Sequence, residues 1–521
     1  MPKLVITEKP SVAQSIAKVL SATKRCNGYL EGNGYLVSWC VGHLVELAPP
    51  DHYDEHYKKW KKEDLPILPA NWKYTVSTGT KKQFNILKEL MNRDDVDSLI
   101  CATDAGREGE LIFRLVYHQC RCRKPFERLW ISSMEDNAIR EGFCHLKPGT
   151  EYDALYEAAL CRERSDWIVG INATRLFSVL YGNTLNVGRV MSPTLALTVM
   201  REAAIAAFIS EPFYTVKIQM DGFTASSERI KSKEDAEKLA ADCKGASAVV
   251  TKVERKNRKE KPPLLYDLTT LQREANKIMG YTAQQTLDYT QSLYEKKMVT
   301  YPRTDSRYLT EDMAAMIPEL VQKTVKKFSF SDETVPVRTG RVINNKKVTD
   351  HHAIIPTKTA AETDLSALPA GERAVLELIA RRLVCAVGSP CESDETAVEL
   401  SCAGAVFKAK GSIVTEPGWK AFISGVESGK EDKEEDALPI ADIQNGMELT
   451  VREAVCKEGK TVPPKHYSEA LLLQAMENAG AEEMPEDAER KGLGTPATRA
   501  GIIEKLVRTG FLERTGNKKT K

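Results

Sequence analysis

Tyr301 stands in the run MVTYPRTDSRYL, residues 298–309, with Arg303 two positions on. A phenol has a pKa of about 10, so near pH 7 roughly one molecule in a thousand is the nucleophilic phenolate, a deficit of about 4 kcal/mol. If the run from Met298 is extended, side chains two apart share a face. The Arg303 guanidinium then projects beside the phenol, where it can stabilise a phenolate or grip a phosphate. An arbitrary Tyr-Pro-Arg is more often a buried aromatic next to a surface arginine, so the rest of the chain must decide. A second group is acidic: Asp104, Glu108 and Glu110 follow an apolar run and are interleaved with Gly106 and Gly109. Carboxylates in a loop at a strand's carboxyl end suit Mg²⁺, a hard ion that keeps part of its water for a phosphate substrate. Such loops are also common turns. Glu8, at the edge of another apolar run, offers a further carboxylate, and Lys9 beside it a cation or proton donor.

These groups need elements to hold them. KLVITEKPSVAQSIAKVL, from Lys3, predicts a short strand, a polar turn and a helix with Pro10 in its first turn and Val12, Ile16, Val19 and Leu20 as its buried stripe. DSLICATDAGREGELIFRLVYHQC repeats that plan, with a strand over 99–103 and a helix burying Leu111, Ile112, Leu115 and Val116. Two such units predict a parallel α/β sheet with both polar loops at its carboxyl edge, where such sheets bind ligands. Helical periodicity runs from Tyr152 to about Leu180, followed by the glycine-punctuated NVGRVMSPTLALTVM. Alternating residues 211–252 read as β, and KVERKNRKEKPP (252–263) as a basic linker. A helical stretch, 267–297, leads into the Tyr301 run. A second β-rich stretch covers 393–455, interrupted by the charge run SGKEDKEED (428–436), read as a solvated loop, and helices resume at SEALLLQAMENAG. The expected organisation is therefore four units: 1–150; 151–210 with 456–521; 211–262 with 393–455, a hinge crossed twice by the chain; and 263–392, bearing Tyr301.

At 521 residues the chain exceeds one hydrophobic core. Its 74 basic and 73 acidic residues give a net charge of +1, so any nucleic-acid surface must be a local patch. Twelve cysteines without a Cys-x-x-Cys pair read as reduced thiols of a cytoplasmic protein. The amino-terminal run meets Glu8, Lys9 and Pro10 at once, unlike a signal peptide, and no apolar stretch approaches membrane-spanning length. No G-x-x-x-x-G-K-[ST] loop is present, which argues against P-loop nucleotide hydrolysis. A tyrosine that exchanges one phosphodiester for another needs no such fuel, because the second transfer reverses the first.

In this order the motifs resemble those of the type IA DNA topoisomerases, most closely the bacterial topoisomerase III branch, over nearly the whole chain. ITEKPSVAQSIAKVL, GHLVEL and CATDAGREGELIFR look like the Toprim domain, and NVGRVMSPTLAL like a DNA-contacting loop. DLTTLQREAN, YEKKMVTYPRTDSRYL and DHHAIIPT are similar to the domain of the catalytic tyrosine, and GLGTPATRAGIIEKL to the distal helical segment. The resemblance implies a multidomain fold, a Toprim α/β domain within a four-domain toroid. It also implies that Tyr301 attacks single-stranded DNA to give a 5′-phosphotyrosine link, with Arg303 on the phosphate, His351 supporting it, and Lys9 donating a proton near Glu8. Glu8, Asp104 and Glu108 would hold Mg²⁺. His43, Arg162, Asp166 and the loop Asn186, Val187, Gly188, Arg189, Val190, Met191 and Ser192 would line the DNA groove. Arg162 and Asp166, four apart, could equally pair on a helix surface. Strand passage through an opened gate would relax negative supercoils or decatenate DNA in the bacterial cytoplasm, without ATP and as a monomer.

Two positions depart from the family pattern. Gly106 replaces a common aspartate, which predicts one Mg²⁺ of ordinary affinity, and Met191 replaces a common glutamine. The chain also ends at TGNKKTK, where relatives usually continue, which predicts weaker auxiliary DNA contacts. The competing expectations are a Toprim-type nuclease or primase, which would not need Tyr301, and a DNA-binding protein with an impaired centre.

Overall fold

The structure is a computed structural model that describes residues 1–132, 134–348, 351–423, 443–480 and 492–515. The opening apolar run forms buried strand β1 (Lys3–Thr7), and helix α1 (Pro10–Val19) begins at Pro10, where a missing N–H leaves no intrahelical bond unmade. Strands β2 (Lys24–Cys26), β3 (Tyr29–Gly32) and β4 (Tyr35–Trp39) follow, with β3 and β4 joined through Asn33 and Gly34, both at positive φ as a tight hairpin requires. Beyond the small β5 (Val45–Leu47)–β6 (Tyr74–Val76) ribbon and helix α2 (Lys81–Asn92), β7 (Leu99–Ala102) and α3 (Arg107–Gln119) repeat the opening plan. Then come β8 (Phe126–Arg128), α4 (Asp136–Cys144) and β9 (Lys147–Pro148).

The sheet order is β2-β3-β4-β1-β7-β8-β9. Only β4, β1, β7 and β8 run parallel, and hairpins add antiparallel strands at both edges, so the sheet is mixed rather than wholly parallel. Strands β1 and β7 are neighbours, with Thr7 opposite Ala102, so the loops carrying Glu8 and Asp104 leave the same edge side by side. Helix α3 seals the sheet with buried Leu111, Ile112, Phe113, Leu115 and Val116, each worth about 1.5–3 kcal/mol against exposure. Gly109 is required in its first turn: a Cβ there would sit 2.0 Å from the Asp104 carbonyl oxygen.

Helix α5 (Asp153–Tyr181) is 29 residues long and ends at left-handed Gly182, and α6 (Met191–Ala206) follows the intervening loop. Strands β10 (Pro212–Met220) and β11 (Phe223–Ser227), helix α7 (Lys233–Cys243) and strand β12 (Ser247–Glu260) come next. The chain leaves this sheet through α8 (Leu268–Met279), α9 (Ala283–Glu295), α10 (Ile317–Lys327), α11 (Lys358–Glu362) and α12 (Ala370–Ala386). It returns through β13 (Cys391–Cys402), β14 (Ala405–Glu416), β15 (Glu448–Thr450) and β16 (Glu453–Lys460), then closes with α13 (Glu469–Asn478) and α14 (Pro496–Arg508). Strands from both passes form one antiparallel sheet, β15-β12-β13-β14-β11-β10-β16.

The basic run 252–263 is not the expected linker, since most of it is strand β12. Its polar side chains are met across the ladder on β13: Arg258 by Glu395 at 2.7 Å and Lys259 by Glu392 at 2.8 Å, while the Asn257 amide donates to Asp394 at 2.9 Å. With both faces largely solvated there, no hydrophobic alternation marks the strand. The charge run 428–436 and most of TGNKKTK lie outside the described residues.

Candidate active site

Tyr301 is 6% exposed and lies in the same core cluster as Val5, Tyr294, Ile354 and Leu472, which come from widely separated parts of the chain. Its run is not the expected strand. It is a coil tied down by an isolated Val299–Pro356 bridge and by Tyr301 N–H donating to the Ser132 carbonyl at 3.0 Å. The phenol hydroxyl donates to Asp104 Oδ2 at 3.0 Å, and Arg303 Nη1 stands 4.0 Å from both Glu8 Oε1 and Asp104 Oδ2. Arg303 therefore faces the same point as Tyr301, while its buried Nε has no hydrogen-bond partner. Lys9 Nζ is held at the rim by Glu295, 3.4 Å away.

Burial, with the Asp104 charge second, pushes the Tyr301 phenol well above its ordinary range. It is a neutral donor here, and the nearby Arg303 cation opposes the shift without cancelling it. The same two causes raise the Glu8 carboxyl from 4.5 to about 7. His351 packs on the Tyr301 ring at 4.2 Å between centroids. Its Nε2 meets the Ala105 carbonyl, which can only accept, so Nε2 carries the proton and Nδ1 accepts from the Ser132 hydroxyl at 3.0 Å. Burial lowers the His351 pKa to about 4, and the ring is neutral. Both nitrogens are thus engaged with protein, so in this arrangement His351 props the nucleophile and does not present a free donor to a phosphate.

Glu8 and Asp104 form a buried carboxylate pair whose mutual repulsion a hard cation would relieve, and two carboxylates with water and phosphate oxygens suit Mg²⁺. Glu108 is not with them: its exposed side chain lies 3.6 Å from His43 Nε2, and that imidazole lowers its pKa. Among the described residues no three ligating side chains come together. Glu110 is absent from the pair for a different reason. It is fully buried and grips Arg114 at 2.7 Å and Arg128 at 3.0 Å. Arg128, also fully buried, donates to the carbonyls of Cys101, Thr103 and Asp104, and so clamps the loop that carries Asp104.

The expected groove residues gather beside this site. Asp166 does not pair with Arg162. It takes Arg189 in a two-point contact, Nε–Oδ1 at 2.6 Å and Nη2–Oδ2 at 3.2 Å. Arg162 instead feels the charges of Arg107 and Arg189 and is lowered, with burial the larger cause. The loop is fixed to α5 by Val187 N–H on Thr174 Oγ1, and to α6 by Gly188 N–H on Ser192 Oγ. Asn186 and Arg189 are exposed, while Val190 and Met191 are buried and turn into the core.

A family model described as DNA topoisomerase matches residues 150–521, and one described as Toprim domain matches residues 3–134. DNA topoisomerase 3 of Bacillus subtilis (strain 168) is 42% identical over 98% of this chain and 73% of its own length. The protein of the same name from Shouchella clausii is 41% identical over 99% of this chain and 73% of its own. The chain belongs to the type IA DNA topoisomerases. A solved structure of full-length topoisomerase I from Thermotoga maritima has the same fold, with a TM-score of 0.72 at 23% identity over 98% of this chain and 79% of that one. This topoisomerase therefore acts on DNA, and neither a nuclease nor a binding protein without activity describes it. No helix among its described residues is long and apolar enough to cross a membrane.

Sequence reasoning missed four residues of the topoisomerase's centre: Ser132 and Tyr294 against the tyrosine, Glu295 on Lys9, and Arg128 under the Asp104 loop. Tyr294 packs edge-on to Tyr301 at 5.4 Å. Only Arg128 left a trace in the sequence, as a lone cation inside the strand-like FERLW.

Proposed function

We propose that this topoisomerase cleaves single-stranded DNA through Tyr301 and reseals it after strand passage. The observation that carries the reading is the convergence of Tyr301, Arg303, Glu8 and Asp104 on one buried point. In the forward step the Tyr301 oxygen bonds to phosphorus, the bond to the 3′-oxygen breaks, and a 5′-phosphotyrosine forms. The phenol proton passes to the carboxylates beside it, where Glu8, raised to about 7, can hold and return a proton. Lys9 protonates the departing 3′-oxygen, and Arg303, with a spare Nε donor, holds the phosphate. His351 keeps the phenol aimed. Glu8 and Asp104 would hold Mg²⁺, which when bound neutralises phosphate charge beside them. Religation reverses each transfer, so the bond energy is conserved and no ATP is spent.

With Tyr301 and Glu8 each 6% exposed, DNA reaches the centre only after the contacts around Ser132 and Asp136 open. The twice-crossed sheet serves as the hinge, and negative supercoiling supplies both the unpaired strand and the driving force. Arg162, Asp166, Arg189, Asn186 and the Gly188 backbone guide that strand, with His43 at the edge. The enzyme works as a monomer with DNA in the bacterial cytoplasm. The test is an oligonucleotide labelled at its 3′ end, incubated with and without Mg²⁺ and then denatured. Label should migrate with the wild-type protein and not with Tyr301→Phe. Cleavage that survives the substitution with free ends would sink the reading.

A further inference from the structure

Helix α5 carries the face of the Arg162–Asp166 cluster on into residues that the proposed function does not use. Arg162, Asp166, Ala173, Phe177 and Tyr181 follow one another at intervals of four, seven, four and four, so they share one side of the helix. The first two sit beside Arg189, and the last two lie about 17–28 Å further along at 1.5 Å per residue. Phe177 is 41% exposed and Tyr181 66%, and their rings stack at 6.4 Å with an interplanar angle of 18°. Another side of the helix is covered: Trp167 donates to the Ala48 carbonyl, Asn172 holds both backbone groups of Ile67, and Arg175 donates to the Tyr57 carbonyl. The loop after the helix flanks the aromatic pair, through Leu185 N–H on Ser178 Oγ and Val187 N–H on Thr174 Oγ1. The aromatic pair is left facing solvent.

Charge selects the occupant. Residues 167–201 contain no carboxylate, and of their three arginines Arg189 is exposed and Arg201 partly so while Arg175 is buried on the covered side, in a chain whose acids and bases otherwise balance. An exposed aromatic pair in an acid-free stretch fits a polyanion with flat apolar faces, which describes the bases of a single strand. We propose that Phe177 and Tyr181 form a base-stacking platform that lengthens the DNA groove along α5, beyond the Arg162–Asp166–Arg189 cluster. This rests on the reading that the cluster guides the strand to Tyr301. The platform grips bases without reading their edges, so it adds affinity for longer unpaired stretches and no sequence preference.

The experiment measures binding of a short and a long oligothymidylate, and of the long one with a block of abasic sites moved along it. Wild type is compared with Phe177→Ala/Tyr181→Ala and with Phe177→Trp. The expected result is about a tenfold or greater loss of affinity for the long strand in the double-alanine variant, retained binding in the tryptophan variant, and convergence of all three where the abasic block meets the platform. The slope of log affinity against log salt stays unchanged, because stacking releases no counterions, whereas Arg189→Ala lowers it. An unchanged long-strand affinity in the double-alanine variant overturns the platform. So does sedimentation in which Phe177→Ala/Tyr181→Ala dissolves a dimer of the wild type, since the face would then belong to a second copy. The 3′-label assay separates the two readings: an adduct in wild type with no length effect sinks only the platform, and no adduct sinks the catalytic reading.

Discussion

At the scale of single residues, Glu8 is the most informative group. Its carboxyl is raised from 4.5 to about 7, so between those values the folded protein keeps a proton that the unfolded chain has released. Stability contributed by that proton is present at low pH and is lost as pH rises through the window, by about 3 kcal/mol in all. His351, lowered from 6.5 to about 4, works in the opposite sense and loses stability as pH falls. The comparison with Glu8→Gln isolates the first effect. Urea denaturation without metal should show wild type losing about 2.5 kcal/mol more than the variant between pH 5 and pH 8, and parallel curves would refute the buried pair. Gly106 offers a second test. Its backbone is extended at φ 164 and nothing lies within 4 Å of an added Cβ, so the missing aspartate is a chemical difference and not a steric one. Gly106→Asp should fold normally, gain only about a few tenths of a kcal/mol by capping α3, and lower the Mg²⁺ concentration needed for adduct formation several-fold. A titration in which the variant needs as much Mg²⁺ as wild type, or more, would contradict this.

The decisive element is the β7–α3 turn. Asp104 is aimed by its backbone, which Arg128 clamps from below while Thr103 Oγ1 donates to the Gly109 carbonyl at 2.8 Å. Arg128→Met would remove a donor from four carbonyls, those of Cys101, Thr103, Asp104 and Leu129, and leave Glu110 with one cation in place of two. Breaking a buried pair in this way costs about 3–5 kcal/mol. The expected outcome is a lower urea midpoint together with lost adduct formation, and a variant of normal stability would show that the clamp is dispensable. Strand β12 carries the opposite lesson about elements: its ladder to β13 holds it while exposed charge pairs line its outer half, a pattern that composition alone reads as a linker.

At the scale of the whole molecule, the amino-terminal α/β unit and the tyrosine-bearing helices are joined by a small set of polar contacts. These are Tyr301 hydroxyl to Asp104, Arg303 facing Glu8 and Asp104, Tyr301 N–H to Ser132, His351 to Ser132 and Ala105, Lys9 to Glu295, and Lys297 to Asp136, beside the apolar cluster that holds Val5 and Tyr301. The gate of the proposed mechanism opens only when they part. The Lys297–Asp136 pair is partly exposed and screened, so it contributes less than about 1 kcal/mol. Lys297→Gln should therefore leave the melting temperature nearly unchanged while amide exchange at Tyr301 quickens a few-fold, measured by mass spectrometry. Unchanged exchange would mean that this pair does not restrain the gate.

The sequence by itself determined the strand–loop–helix units around Glu8 and Asp104, the long helix α5 and the family, because these rest on periodicity and on motifs of contiguous residues. Tertiary structure alone decided which charges meet. Tyr301 finds Asp104 across 197 positions, Asp166 takes Arg189 in preference to the arginine four residues away, Glu108 turns to His43, and Glu110 goes under the sheet to Arg128. A carboxylate's partner is the cation nearest in space once water is excluded, and spacing along the chain does not encode that distance.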